Sequence, residues 1–183
     1  MNIFYLNPTP STCATYHVDK HCVKMILEYC QLLSTAHRVL DGTQYIELVK
    51  NRKIKRWSLQ DSMLNSTLYK ATHINHPSAV WVRQSSENYM WLVELLSELC
   101  GEYTHRYGKV HKCQRTGLVD MLYTNIPKNI PRKQFTEPTP AMPDQYKVPG
   151  NSLLSYHNYY NGHKRKMFSW KKRDVPNFIK ELV

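Results

Sequence analysis

The chain has little glycine, a shortage of acid and no long apolar run. Six glycines in 183 residues exclude a collagen-like or glycine-rich fibre. No apolar stretch approaches the ~20 residues that span a bilayer, so no membrane helix is expected. The opening MNIFYLNPTPSTC has no basic region followed by a long apolar one, so no signal peptide is expected. The five cysteines, Cys13, Cys22, Cys30, Cys100 and Cys113, are odd in number and scattered. That pattern fits free thiols in a reducing cytoplasm better than a disulfide framework. GxSxG, Walker and GxGxxG motifs are missing, as are CxxC and HExxH. No metal or cofactor is expected.

What is present is basic charge. Lysine and arginine number 25 against 14 acids, a formal net charge of +11. The surplus is uneven: residues 1–108 carry 11 basic and 9 acidic side chains, residues 109–183 carry 14 and 5. A basic half on a folded domain suggests a polyanionic partner, usually nucleic acid. At this length one domain is expected, spanning 1–183 and large enough to fold without staples.

The patterning predicts an all-α fold. Residues 1–12 read as an extended lead-in ending at Pro8 and Pro10. Val23, Ile26, Leu27, Cys30, Leu33 and Leu40 recur at helical steps, predicting a helix over 13–40 that stops at Asp41-Gly42. Residues 44–57 read as a shorter helix with a basic end, and 59–71 are ambiguous. His76-Pro77 starts another helix. The pattern then runs from Ala79 to Tyr107, with a possible break at Ser85-Ser86-Glu87 and a stop at Gly108. A short helix is expected in 111–123. Six of the ten prolines fall between Pro127 and Pro149, so 126–150 reads as a long proline-rich loop. Residues 151–183 read as a basic, aromatic helical segment: a helix from Ser152 to about Phe168, then a last short one at Pro176. No β-hairpin pattern stands out.

Three constellations hold chemistry-bearing residues. On the first long helix, His17, His21, Lys24 and Glu28 share a face, with Lys20 beside them. A glutamate among cations can act as a general acid or base. The alternatives are a solvated face with a Lys24–Glu28 pair, or a metal site from Cys13, His17 and His21, which no motif supports. Second, His76 and Arg83 flank a helix start whose free N–H groups suit phosphate; the alternative is an ordinary capped helix. Third, Tyr159, Tyr160, Lys164, Arg165, Trp170, Lys171 and Arg173 interleave rings with cations, a composition suited to nucleic acid. Arg106 and Tyr107 extend that patch. Its alternative is that the rings are core.

Three stretches carry a resemblance: His21-Cys-Val-Lys-Met-Ile-Leu-Glu28, His76-Pro-Ser-Ala-Val-Trp-Val-Arg83 with the helix through Arg106-Tyr107-Gly108, and Tyr159 to Trp170. Together they resemble the phage-type pyrimidine-dimer DNA glycosylase/AP lyase family. The resemblance implies an all-α fold, removal of damaged pyrimidines from duplex DNA, and a protein acting in the cytoplasm of a bacterial host, expected as a monomer. It also implies an N-terminal α-amine as nucleophile. Glu28 matches the family's essential glutamate, and Lys20, Lys24 and Arg38 match its phosphate-binding cations. The chain departs at its start. Met1 precedes Asn2, and methionine is normally removed only before small residues, so Met1 is expected to stay. Three attacking groups stand open: the Met1 amine, a desolvated Lys20, or water. Tyr16, Trp81 or Tyr89 are candidates to hold a displaced base. A non-catalytic nucleic-acid-binding protein and an enzyme acting on free nucleotides are the competing readings.

Overall fold

The computed structural model describes residues 1–180. It is mainly helical, with one two-stranded ribbon. In chain order the elements are α1 (Pro10–Tyr16), α2 (Asp19–Asp41), β1 (Thr43–Val49), β2 (Arg52–Ser58), α3 (Ser62–Thr67), α4 (Pro77–Val82), α5 (Ser86–Tyr107), α6 (Lys112–Arg115), α7 (Leu118–Thr124) and α8 (Ser152–Tyr159). A π-turn over Tyr160–Lys164 and a 3₁₀ turn over Arg165–Met167 continue α8.

The core forms between α2 and α5. Met25, Ile26, Tyr29, Leu32 and Leu33 of α2 meet Leu92, Val93, Leu95, Leu96 and Leu99 of α5, all buried. Ser85 caps the start of α5, and Gly108 ends it in the left-handed conformation (φ 65°) that glycine adopts without strain.

The lead-in, Asn2–Leu6, is extended and buried throughout. Buried backbone needs partners, and no strand lies beside it. Side chains supply them. The Ile3 N–H donates to Asn2 Oδ1 (2.9 Å), the Phe4 N–H to the Tyr29 hydroxyl (3.3 Å) and the Leu6 N–H to Cys13 Sγ (3.4 Å). Asn2 is itself held: its Nδ2 donates to the Ala141 carbonyl (2.8 Å), and the Tyr156 hydroxyl donates to its Oδ1 (2.6 Å). Residue 1 is thereby fixed against α2.

Several expectations change. Residues 44–57, expected as a helix, form a hairpin with Val49 opposite Arg52. Its turn residues, Lys50 and Asn51, have positive φ (49° and 61°), which a two-residue turn between twisted strands requires. The fold is therefore not purely α. The helix expected over 13–40 is two, broken at His17-Val18, where Arg106 Nη1 and Nη2 donate to the carbonyls of His17 and Thr15 (both 2.9 Å). Val23 and Leu27, expected in the core, face solvent. The regular α-helix expected to Phe168 ends at Tyr159. Residues 176–180 form no helix, and the rest of that expected element lies outside the described residues.

Candidate active site

On α2, residues Lys20, Val23, Lys24, Leu27 and Glu28 recur at three- and four-residue steps and form the side left open by the core. The clamped lead-in crosses this side at Glu28. The Met1 α-ammonium lies 3.8 Å from Glu28 Oε2, and Lys24 Nζ lies 3.2 Å from Oε1. The carboxylate thus sits between two amines and is itself only 14% exposed. An open pocket of about 230 Å³ lies over it, lined by Met1, Asn2, Phe4, His21, Tyr159 and Lys164 among others.

The walls of this pocket are rigid. Phe4 stacks on the His21 ring (centroids 4.0 Å apart, 16° between planes), and His21 Nδ1 lies 2.7 Å from the Tyr160 hydroxyl. Burial, then the nearby His17, Lys164 and Lys24, lower the His21 imidazole to about 2, so it is neutral at ordinary pH. Lys164 Nζ sits 4.7 Å from the Tyr159 ring centroid and 5.9 Å from that of Phe4, a cation over two aromatic faces. His76 caps α4, its Nδ1 accepting from the Ser78 N–H (3.2 Å). Burial, then the positive charge of the chain terminus, lower its pKa.

The sequence-derived residues separate into two groups. Met1, Glu28, Lys24, His21, Tyr159 and Lys164 converge on the pocket. Lys20 is exposed one turn before Lys24, and Tyr160 is buried behind His21. The others have partners elsewhere. His17 is fully buried, with Nδ1 on the Cys13 carbonyl (2.7 Å) and Nε2 on the Tyr29 hydroxyl (3.0 Å). Arg38 is buried and directs its guanidinium at the carbonyls of Trp57, Asn65, Leu68 and Tyr69 and at Asn65 Oδ1. Arg106 is fully buried, paired with Glu102 (2.6 Å) and Asp19 (2.9 Å). With their donors engaged, neither arginine is presented to a phosphate.

In the C-terminal segment Trp170 is buried with Nε1 on the Tyr16 carbonyl (2.9 Å), and Arg173 is paired with Glu102 (2.8 Å). Arg165 Nε donates to the Asn161 carbonyl (2.6 Å). Lys171 is exposed, its ammonium 5.5 Å from the Tyr107 ring centroid. Arg83 donates to the Ala79 carbonyl (2.9 Å) and lines a separate groove with Lys133. Trp81 and Tyr89, considered as holders of a displaced base, are both core. Among the described residues no three metal-ligating side chains come together.

Four pocket residues escaped sequence reasoning, Asn2, Phe4, Met25 and Ala141. The signal available was the polar Asn2 heading an otherwise apolar Ile3-Phe4-Tyr5-Leu6 run.

Residues 1–115 match the family model of pyrimidine dimer DNA glycosylase. No curated protein and no solved structure matches the chain. The matched segment contains the terminal amine, His21, Lys24, Glu28 and His76, and by that match the chain belongs to the pyrimidine dimer DNA glycosylase family.

Proposed function

We propose that this protein removes a damaged pyrimidine from duplex DNA and then cleaves the strand, with the Met1 α-amine as nucleophile and Glu28 as the proton-handling carboxylate. One observation carries this reading: the buried chain terminus is held 3.8 Å from Glu28. An ordinary α-amine titrates near 8 and a lysine near 10.4, so the α-amine is the readier nucleophile at neutral pH.

The chemistry follows from the placement. The amine lone pair attacks the sugar C1′ as the bond from C1′ to the base breaks, the electron pair leaving with the base. The positive charge developing on the sugar is stabilised by the Glu28 carboxylate. Glu28 takes one proton from the resulting secondary ammonium and passes it to O4′ as the C1′–O4′ bond breaks, which leaves a protonated imine between C1′ and the Met1 nitrogen. Glu28, ionised again, takes a C2′ proton; the electrons shift toward the protonated imine and then form the C2′=C3′ bond as the C3′–O bond breaks and the 3′ phosphate leaves with its electron pair. Lys24 lies on the other Glu28 oxygen, where its charge meets the adjacent phosphate. The pocket's volume suits a sugar or a single displaced base, not a dimer still in the stack.

The test is strand incision of UV-irradiated and undamaged duplexes by purified protein, with and without borohydride. The reading expects damage-dependent incision and a reduced covalent complex. Salt-sensitive binding without either product would support the non-catalytic alternative instead.

A further inference from the structure

We infer that the β1–β2 hairpin is a second DNA-binding element, an arm that grips the duplex beside the lesion through phosphate contacts and groove packing. The inference rests on duplex DNA being the substrate proposed above.

The hairpin contributes little to the core. Both strands are largely exposed, with Leu48 at 71% and Ile46 at 51%. Alternation along paired strands puts Ile46 and Leu48 on one face with their cross-strand partners Lys55 and Lys53. That face is apolar and cationic together, and folding gives it nothing to pack against. Five cations, Lys50, Arg52, Lys53, Lys55 and Arg56, lie on the ribbon against one acid, Glu47. Glu47 is already neutralised, at 2.7 Å by Arg56 and at 3.4 Å by Lys70. Lys50, Arg52, Lys53 and Lys55 have no acidic partner among the described residues. Lys53 and Lys55 beside the exposed Ile46 and Leu48, with Lys50 at the turn and Arg52 on the other face, complement a polyphosphate backbone edged by bases. A two-stranded ribbon is also narrow enough to enter the major groove.

Placement agrees. The hairpin follows directly on α2, the helix that carries Glu28 and ends at Asp41, and Arg38 of that helix holds the Trp57 carbonyl at the base of β2 (2.9 Å). At 1.5 Å per residue, the helix from Glu28 to Asp41 spans about 20 Å. A duplex centred on the pocket therefore passes the ribbon within roughly one helical turn, about 34 Å.

The test compares wild type with two surface variants, R52Q/K53Q/K55Q and I46S/L48S, all melting alike. Binding to undamaged duplexes of about one turn and about two and a half turns is followed by fluorescence anisotropy over a range of salt. For the long duplex, the slope of log affinity against log salt should become shallower by about 0.9 for each cation removed, near 3 for the triple variant. Both variants should lose the wild-type preference for the longer duplex. Borohydride trapping on a one-turn UV-irradiated duplex should be unchanged, because the pocket is intact. If wild type binds and traps DNA while the variants keep its slope and length preference, the arm is disproved and the catalytic reading stands. A wild type that binds no duplex overturns both.

Discussion

The two halves of α2 meet different surroundings. From Lys20 to Glu28 one side of the helix is open, carrying Lys24 and Glu28 beside the chain terminus. From Leu32 to Arg38 every residue is buried, and the histidine and arginine have fixed partners: His37 on the Tyr89 hydroxyl (2.9 Å) and Arg38 on a ring of carbonyls. The same residue types, cations and histidines, thus border an open pocket in one half and are locked into the core in the other. Charge alone does not tell them apart; what covers the helix does. Residues 57–72 lie over the second half, whereas the clamped lead-in and the Tyr159–Lys164 segment border the open side of the first.

The contrast is sharpest in substitutions. Glu28→Gln should lower incision about 10²–10⁴-fold while leaving the melting temperature near wild type, read by single-turnover cleavage and thermal unfolding. In the covered half and its counterpart on α5 the pattern reverses. Arg38→Ala, Leu33→Ala and Arg106→Ala should each cost about 2–5 kcal/mol in denaturant unfolding, because they leave carbonyls, a cavity or buried carboxylates without partners.

Acid should act on the architectural histidines next. Burial lowers His17 and His37 to about 4 and His21 to about 2, against an ordinary value near 6.5. The unfolded chain takes up these protons first. Stability is therefore complete above about pH 6.5 and falls as the pH drops toward 4, by about 2 kcal/mol per imidazole between pH 7 and 5. Urea midpoints at the two pH values read this directly, and equal midpoints would contradict neutral buried histidines. The smallest effect belongs to the open face. Leu27→Ser and Lys24→Gln should change stability by no more than about 0.5 kcal/mol, with Lys24→Gln weakening DNA binding.

The sequence displayed parts of this plainly. The helical period marked α2 and α5, Gly108 marked a stop, and Glu28 stood out as an acid among cations. Other features depend on what lies beside a residue in space. Nothing local distinguishes Lys24, which is exposed, from Arg38, whose guanidinium fills a nest of carbonyls built by residues 57–69. The hairpin was hidden because neither of its faces is fully buried, so the period of two is blurred by Ile46 and Leu48 on the solvent side. Its one local signal was Lys50-Asn51, since asparagine tolerates positive φ. The basic C-terminal segment misled in the opposite sense. Its cations are real, but Tyr156, Tyr160 and Trp170 are buried in the core, and Tyr159 lines the pocket beside Lys164.

The central claim is that the chain's own terminus, fixed by Asn2 against Glu28, is the attacking group. It is tested most directly by reducing the protein–DNA complex with borohydride, digesting it, and locating the added sugar by mass spectrometry. The account predicts the adduct on the nitrogen of Met1. An adduct on Lys20 or Lys24, with the terminal peptide unmodified, would contradict it.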